Sequence, residues 1–337
     1  MATDYAGAVG NGSMAASRLH MQLGMQEKMQ QHGGSVDVFS VTLGLNLPLV
    51  LRPLDGLLGA YIPEPISGML VTTRRPLSIQ RFTAAHELGH LRLGHLPSLD
   101  DENLLRRMAM PMASAGLNMQ EVEADAFAVT FLMPRWLIAW HCQRQGWLAQ
   151  DLGRPKIAYQ LALRLGTSYE ATSWTLERGN LISPAQGRAL RQVQPREIKA
   201  ELLRGHQPSN YHGDVWSLTE RDAGTRIDGS RNDHFVLRLN EHCGGGYLWN
   251  IDQLRASGIA IIRDDRESND FEGVGGPVTR NVTAALESAQ RGQVSLTECR
   301  PWQPSAPIAN LSFEYDFTGP EEEGFSRAER RHLLEAA

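Results

Sequence analysis

The sequence predicts an α+β fold: a helical domain around a small sheet, then a helix-turn-helix-like segment, then an all-β sandwich. Three observations carry this: proline-free helical stretches at residues 78–93 and 119–133, short apolar runs between residues 45 and 72, and, past residue 213, brief alternating runs separated by glycine-rich turns. With 337 residues the chain exceeds one average domain, and its 42% apolar and 21% charged residues are a globular composition.

Taken in order, residues 13–31 read as a helix capped by Ser13, with Met21, Met25 and Met29 on one core-facing stripe and Gly33-Gly34 as the stop. A small helix between Val36 and Gly44 follows. Apolar runs at Leu45 to Leu51, Leu57 to Ile62 and Ile66 to Thr72, punctuated by Asp55-Gly56 and Pro63-Glu64-Pro65, then read as a small sheet. Long helices are expected from Ser78 to Leu93 and from Met119 to Met133, the second stopped by Pro134, with a polar, methionine-rich loop between them. Gly166-Thr167-Ser168 separates two shorter helical patterns between Pro155 and Asn180, a helix-turn-helix outline. The polar stretch 191–213, with Pro195, Gly205 and Pro208, reads as a linker. The expected limits are thus 13–150 for the first domain, 151–190 for the helix-turn-helix-like segment, 191–213 for the linker, 214–317 for the sandwich, and 318–337 for an acidic tail ending in a short peripheral helix.

Several function classes drop out. No uninterrupted apolar stretch approaches 18 residues, so no membrane span is expected, and with Arg18 as the first basic residue neither a secretory leader nor a basic nucleic-acid arm is expected. A cytoplasmic location follows as the expectation. Cys142, Cys243 and Cys299 are too dispersed for a disulfide framework or a paired-thiolate zinc site, so any metal here needs histidine and carboxylate.

Such ligands stand in His86-Glu87-Leu88-Gly89-His90. On a helix, four residues turn through about 400°, so both imidazoles project from one face and can share a zinc ion at about 2.0–2.1 Å. Glu87 falls beside the ion without ligating it, placed to take a proton from water that zinc acidifies to about pKa 7 and to pass it to a leaving amine. On the second helix Glu121 and Asp125 are spaced i, i+4 and face one way. Glu121 is assigned as third ligand, and Asp125 as the group that orients a ligand imidazole through its second nitrogen. Glu123, about 200° around the helix from Glu121, is the alternative ligand. His95 reads as a capping or surface residue; His141, Tyr61 and Tyr159 are unranked candidates for an oxyanion donor.

The runs Arg81-Phe82-Thr83-Ala84-Ala85-His86-Glu87-Leu88-Gly89-His90, Glu121-Val122-Glu123-Ala124-Asp125-Ala126-Phe127-Ala128 and Phe131-Leu132-Met133-Pro134 resemble the ImmA/IrrE family of bacterial metallopeptidases over roughly residues 15–185. The resemblance implies a zincin-like metallopeptidase domain acting on a protein substrate, a helix-turn-helix transcriptional repressor, in a stress or mobile-element response. The family's first acidic position before the Leu-Met-Pro end falls on Glu121, and this chain has Asp125 where many members have Asn. An extended substrate segment would then pair on the Ile66 to Thr72 strand as an edge, alongside Ile66, Met69 and Val71. Direct DNA binding by residues 155–180 is not expected, since Lys156, Arg164 and Arg178 are set against Glu170 and Glu177.

Three loop-like segments follow: Gly244-Gly245-Gly246-Tyr247-Leu248-Trp249, Gly273-Val274-Gly275-Gly276 and Arg300-Pro301-Trp302. In this order they resemble the chagasin-like inhibitors of papain-type cysteine peptidases. That resemblance implies an immunoglobulin-like sandwich binding a cysteine peptidase or other regulatory protein through Tyr247, Gly273, Gly275, Gly276, Arg300, Pro301 and Trp302. The first loop departs from the family: His242-Cys243-Gly244-Gly245 replaces its Asn-Pro-Thr-Thr. Two readings result, a zinc endopeptidase with an independently folded protein-recognition module, or a binding protein of the cysteine-peptidase-inhibitor type with a structural zinc domain. Glu87 beside an open coordination position favours the enzyme.

Overall fold

The computed structural model describes residues 2–63, 66–96, 99–101, 118–268, 276 and 278–335. Helices α1 (Ala2–Leu23), α2 (Met25–His32) and α3 (Val38–Gly44) precede strands β1 (Leu49–Arg52), β2 (Leu57–Ile62) and β3 (Gly68–Thr72). Then come α4 (Leu77–Leu93), β4 (Leu99–Asp101), α5 (Met119–Leu132) and α6 (Arg135–Gln145). The helix expected over 13–31 starts earlier and is split, because Gly24 adopts the left-handed region at φ 59°. Met25 and Met29 enter the core, while Met21, on the other side of the break, is 75% exposed.

The expectation of residues 66–72 as an edge strand is corrected. In the sheet order β13-β1-β3-β2-β4, where β13 (Gly324–Phe325) comes from the tail, β3 is the central strand. It pairs in parallel with β1, Val50 opposite Leu70, and antiparallel with β2, Tyr61 opposite Met69. Both hydrogen-bonding sides of its backbone are taken. Met69 and Val71 are buried, and Ile66 lies outside the strand, exposed. A short apolar run marks a strand but does not say which neighbours flank it.

Four helices follow: α7 (Pro155–Leu165), α8 (Tyr169–Arg178), α9 (Pro184–Gln192) and α10 (Pro195–Leu202). Gly166, in the left-handed region, ends α7, and the Ser168 hydroxyl accepts from the Ala171 N–H to cap α8. The stretch expected as a linker therefore holds α10. Pro195 occupies its first turn, where no backbone donor is needed, so it starts a helix rather than breaking one.

The sandwich comprises β5 (Val215–Leu218), β6 (Arg226–Asp228), β7 (His234–Glu241), β8 (Leu248–Asn250), a short α11 (Asp252–Ala256), β9 (Ile259–Ser268), β10 (Val278–Leu286), β11 (Arg291–Cys299) and β12 (Ala309–Asp316). Among the described residues these form two four-stranded sheets, β5-β7-β10-β9 and β6-β12-β11-β8. Along β12, Leu311, Phe313 and Tyr315 point inward with period two, meeting Trp216, Phe235 and Phe317 in one core.

The two halves are bonded directly rather than through a free tether. The Arg164 guanidinium on α7 donates to Asp222 at 2.8 Å with both side chains buried, and the Tyr159 hydroxyl donates to Asp214 at 2.8 Å. On α4, Arg81 meets Asp228 at 2.9 Å. The tail, expected as peripheral, folds back: β13 adds antiparallel to β1, α12 (Arg327–Glu335) packs on α3, and Gln80 of α4 exchanges two hydrogen bonds with the Glu321 backbone at 2.7 and 3.1 Å. The strand pairing closes the β1 edge, which would otherwise present unpaired backbone groups. No helix among the described residues is long and apolar enough to cross a membrane.

Candidate metal centre

The site forms where α4 crosses α5. At Gly89 a Cβ would lie 3.1 Å from the Phe127 Cβ and 3.2 Å from the Ala124 Cα, so the absence of a side chain sets how closely the helices approach. α5 starts at Asn118, whose side chain accepts from the Gln120 N–H at 3.1 Å. Its first two turns thereby deliver Glu121 and Asp125 to the imidazoles of α4.

The Nε2 atoms of His86 and His90 are 3.0 Å apart. Glu121 brings Oε2 to 3.4 Å from the His86 Nε2 and Oε1 to 3.6 Å from the His90 Nε2. Two donors each about 2.0–2.1 Å from a tetrahedral ion are about 3.3 Å apart, so nitrogens 3.0 Å apart, with one Glu121 oxygen 3.4 Å from the first and the other 3.6 Å from the second, suit one zinc-sized ion shared by the two imidazoles and the carboxylate. Nitrogen, nitrogen and carboxylate oxygen suit that metal, and all three residues are buried. On the far side of the first imidazole, the His86 Nδ1 lies 2.9 Å from the Asp125 Oδ1. The third ligand and the orienting group expected from the i, i+4 spacing thus meet different nitrogens of one histidine.

Glu87 is fully buried, its carboxylate set against β2. A Cβ at Gly59 would come within 2.6 Å of the Glu87 Oε1 and 2.5 Å of the Thr83 Cγ2. A side chain at this strand position would force Glu87 or Thr83 to shift, a constraint that the sequence pattern did not reveal.

Glu123, the alternative ligand, turns away from the cluster. Its Oε2 lies 2.8 Å from the His95 Nε2, and its Oε1 accepts from the Asn11 amide on α1 at 2.9 Å. The His95 Nδ1 in turn lies 2.9 Å from the His90 Nδ1. His95 is therefore no surface residue. The signal was present in Gly94, which ends α4 in the left-handed conformation and lets the His95 N–H donate to the His90 carbonyl at 3.0 Å. Of the oxyanion candidates, His141 donates from Nε2 to the Gly34 carbonyl at 3.2 Å and Tyr159 is committed to Asp214. Burial pulls the His141 imidazole down to about 3. Tyr61 stays on β2, buried.

At the sandwich end beyond Glu241 and Cys299, two of the expected loops touch. The Arg300 Nε donates to the Gly245 carbonyl at 3.1 Å and its guanidinium stacks 4.6 Å from the Tyr247 ring centre. Pro301 is exposed, and Trp302 is 72% exposed, its ring beside Gly246. Gly276 is half-buried, whereas Gly273 and Gly275 lie outside the described residues. Cys243 and Cys299 are both free thiols.

Residues 59–177 match the family described as the IrrE N-terminal-like domain, and residues 229–317 match the Chagasin family of peptidase inhibitors. The first is a metallopeptidase-like domain and the second a protease-inhibitor-like module, so protein partners are implied for both. Among solved structures, the chain is similar to the cysteine protease inhibitor EhICP2 from Entamoeba histolytica, with 21% identity and a TM-score of 0.28, covering 32% of this chain and 99% of that one. It is also similar to Amebosin, with 19% identity and a TM-score of 0.26, covering 31% and 97%. No curated protein matches the chain.

Proposed function

We propose that the chain is a zinc-dependent endopeptidase, with His86, His90 and Glu121 as ligands and Glu87 as base, carrying a C-terminal module that docks a protein partner. The observation that carries this is the buried cluster of His86, His90 and Glu121, its two Nε2 atoms 3.0 Å apart and the carboxylate oxygens 3.4 and 3.6 Å from them, with Glu87 on the same helix. A bound zinc ion supplies an electrophile and acidifies water to about pKa 7. The chain's residues do the rest. His86 and His90 each present Nε2, Asp125 holds the His86 Nδ1, and Glu87 takes the proton of the attacking water on a carboxylate oxygen and returns it to the leaving amine.

With β3 enclosed, the strand left for an extended substrate to pair with is β4, which ends the sheet and pairs only with β2 among the described residues. The resemblance supports a helix-turn-helix transcriptional repressor as that substrate. The exposed Trp302 and the Arg300–Tyr247 stack support a papain-type cysteine peptidase, or another regulatory protein, as the module's partner.

The test is Glu87→Gln in the full chain. It should keep about one zinc per molecule, lose proteolysis, and retain the substrate for identification by mass spectrometry. Loss of zinc from Glu87→Gln together with its retention in Glu121→Ala would overturn the assignment.

A further inference from the structure

We infer that His95 and Glu123 are positioning residues that fix the second metal-ligand histidine. This rests on the zinc reading above and extends it to residues outside the set of His86, His90 and Glu121.

The proton inventory sets the direction of the chain. A carboxylate only accepts, so the His95 Nε2, 2.8 Å from the Glu123 Oε2, carries the proton of that bond. A His90 that ligates through Nε2, the atom facing the His86 Nε2 and Glu121, carries its proton on Nδ1, so that nitrogen donates to the His95 Nδ1, 2.9 Å away. His95 accepts at Nδ1 and donates from Nε2, the tautomer that the Glu123 contact holds. Asn11 holds the other Glu123 oxygen at 2.9 Å, so the chain starts from a carboxylate held by α1.

The arrangement is built into the backbone. Gly94, at φ 68°, turns the chain so that the Gly94 N–H meets the Leu91 carbonyl and the His95 N–H meets the His90 carbonyl, at 3.3 and 3.0 Å. The following N–H, of Leu96, donates to the Gln120 side chain on α5 at 2.9 Å. The His95 side chain is only 6% exposed. His86 thus meets its carboxylate directly through Asp125, whereas His90 meets one through an interposed imidazole.

The test compares full-length wild type, His95→Phe, His95→Gln and Glu123→Ala by zinc affinity in chelator competition and by the visible spectrum of the cobalt-substituted proteins. His95→Phe keeps the ring volume and removes both bonds. It should weaken zinc binding by about 10- to 100-fold and alter the cobalt bands. His95→Gln offers a carbonyl to His90 and an amide N–H to Glu123, so it should recover most of the affinity. Glu123→Ala should fall between them. Wild-type zinc affinity in His95→Phe, with unchanged cobalt bands, would overturn the positioning role alone. The role is equally overturned if His95→Gln binds no better than His95→Phe while both unfold at the wild-type temperature without metal. Should His95→Phe not fold, Glu123→Ala with wild-type affinity and bands overturns the role. Failure of the wild type to bind zinc or cobalt would overturn this inference together with the zinc reading.

Discussion

Arg81 on α4 and Asp228 on β6 form an ion pair of 2.9 Å, five residues ahead of His86, with the Arg81 side chain 7% exposed. The helix that carries both metal-site histidines is therefore bonded to the sandwich. Together with the Gln80–Glu321 bonds, this ties the first turns of α4 to the C-terminal half of the chain. Arg81→Met should remove one of the two guanidinium partners of the Asp228 carboxylate, which keeps Arg226 at 2.9 Å, and cost about 1.5–3 kcal/mol of stability, read in denaturant unfolding of the full chain. A change below about 0.5 kcal/mol would show that the pair is not a structural link.

The tail makes a related prediction. Removing residues 319–337 strips β13 from β1 and frees the main-chain groups of Val50 and Leu51. The truncated chain should self-associate in a concentration-dependent way in sedimentation, while the intact chain under the same conditions should not.

At Gly59 the expected outcome concerns the acid. Gly59→Ala places a methyl group against Thr83 and the Glu87 Oε1 inside a packed layer, where overpacking costs about 1–3 kcal/mol. Zinc content should be kept, because none of the ligands is displaced directly, while proteolysis falls by at least tenfold. Full activity in Gly59→Ala would separate Glu87 from the β2 contact.

Legibility in the sequence followed the range of each signal. The His86–Glu87–His90 spacing and the Glu121–Asp125 spacing are local helical relations, and the distances between them agree with what periodicity implied. Gly94 shows the limit. As a helix continuation His95 falls on another face, and only the left-handed turn returns it to His90. The position of β3 was not legible, since an apolar run reads alike at an edge and in the middle. Nor was the bonding of the two halves, because Arg81, Arg164 and Asp222 look like ordinary surface charges until tertiary structure buries them. Pro195 misled for a local reason: it can end one element or begin the next.

Stability should depend on His141. Burial lowers its pKa from 6.5 to about 3, so above pH 6.5 the imidazole is neutral in both folded and unfolded chains and imposes no penalty. As the pH falls below 6.5, the unfolded chain takes up a proton that the folded one refuses, and stability is lost progressively until about pH 3. One such group contributes a slope of about 1.4 kcal/mol per pH unit. His141→Gln should shed about that slope relative to wild type between pH 6 and 4, in unfolding measured at each pH. Parallel curves for the two proteins would refute it.

The exposed end of the sandwich gives the last prediction. Its loops lie beyond Glu241 and Cys299, whereas the bonds to the first half come from Asp214 to Asp228 and from Glu321 to Phe325, with Arg204, just past α10, meeting Glu267 of β9 at 3.0 Å. The first loop is held from within: the buried Glu298 accepts from the His242 N–H at 2.6 Å, and Arg300 ties Gly245 to the Tyr247 ring. Trp302 is left to solvent at 72% exposure, a preorganised aromatic anchor. Trp302→Ala should leave zinc content, peptide cleavage and unfolding within experimental error, because an exposed side chain contributes little to the fold. It should weaken binding to a papain-type cysteine peptidase by at least about 30-fold, the effect of losing a central anchor worth about 2 kcal/mol. Titration of papain with wild type and Trp302→Ala measures this directly. Equal inhibition by both would remove Trp302 from the contact, and no inhibition by either would point to the altered first loop, residues 242–245, and to a regulatory protein of another class as the module's partner.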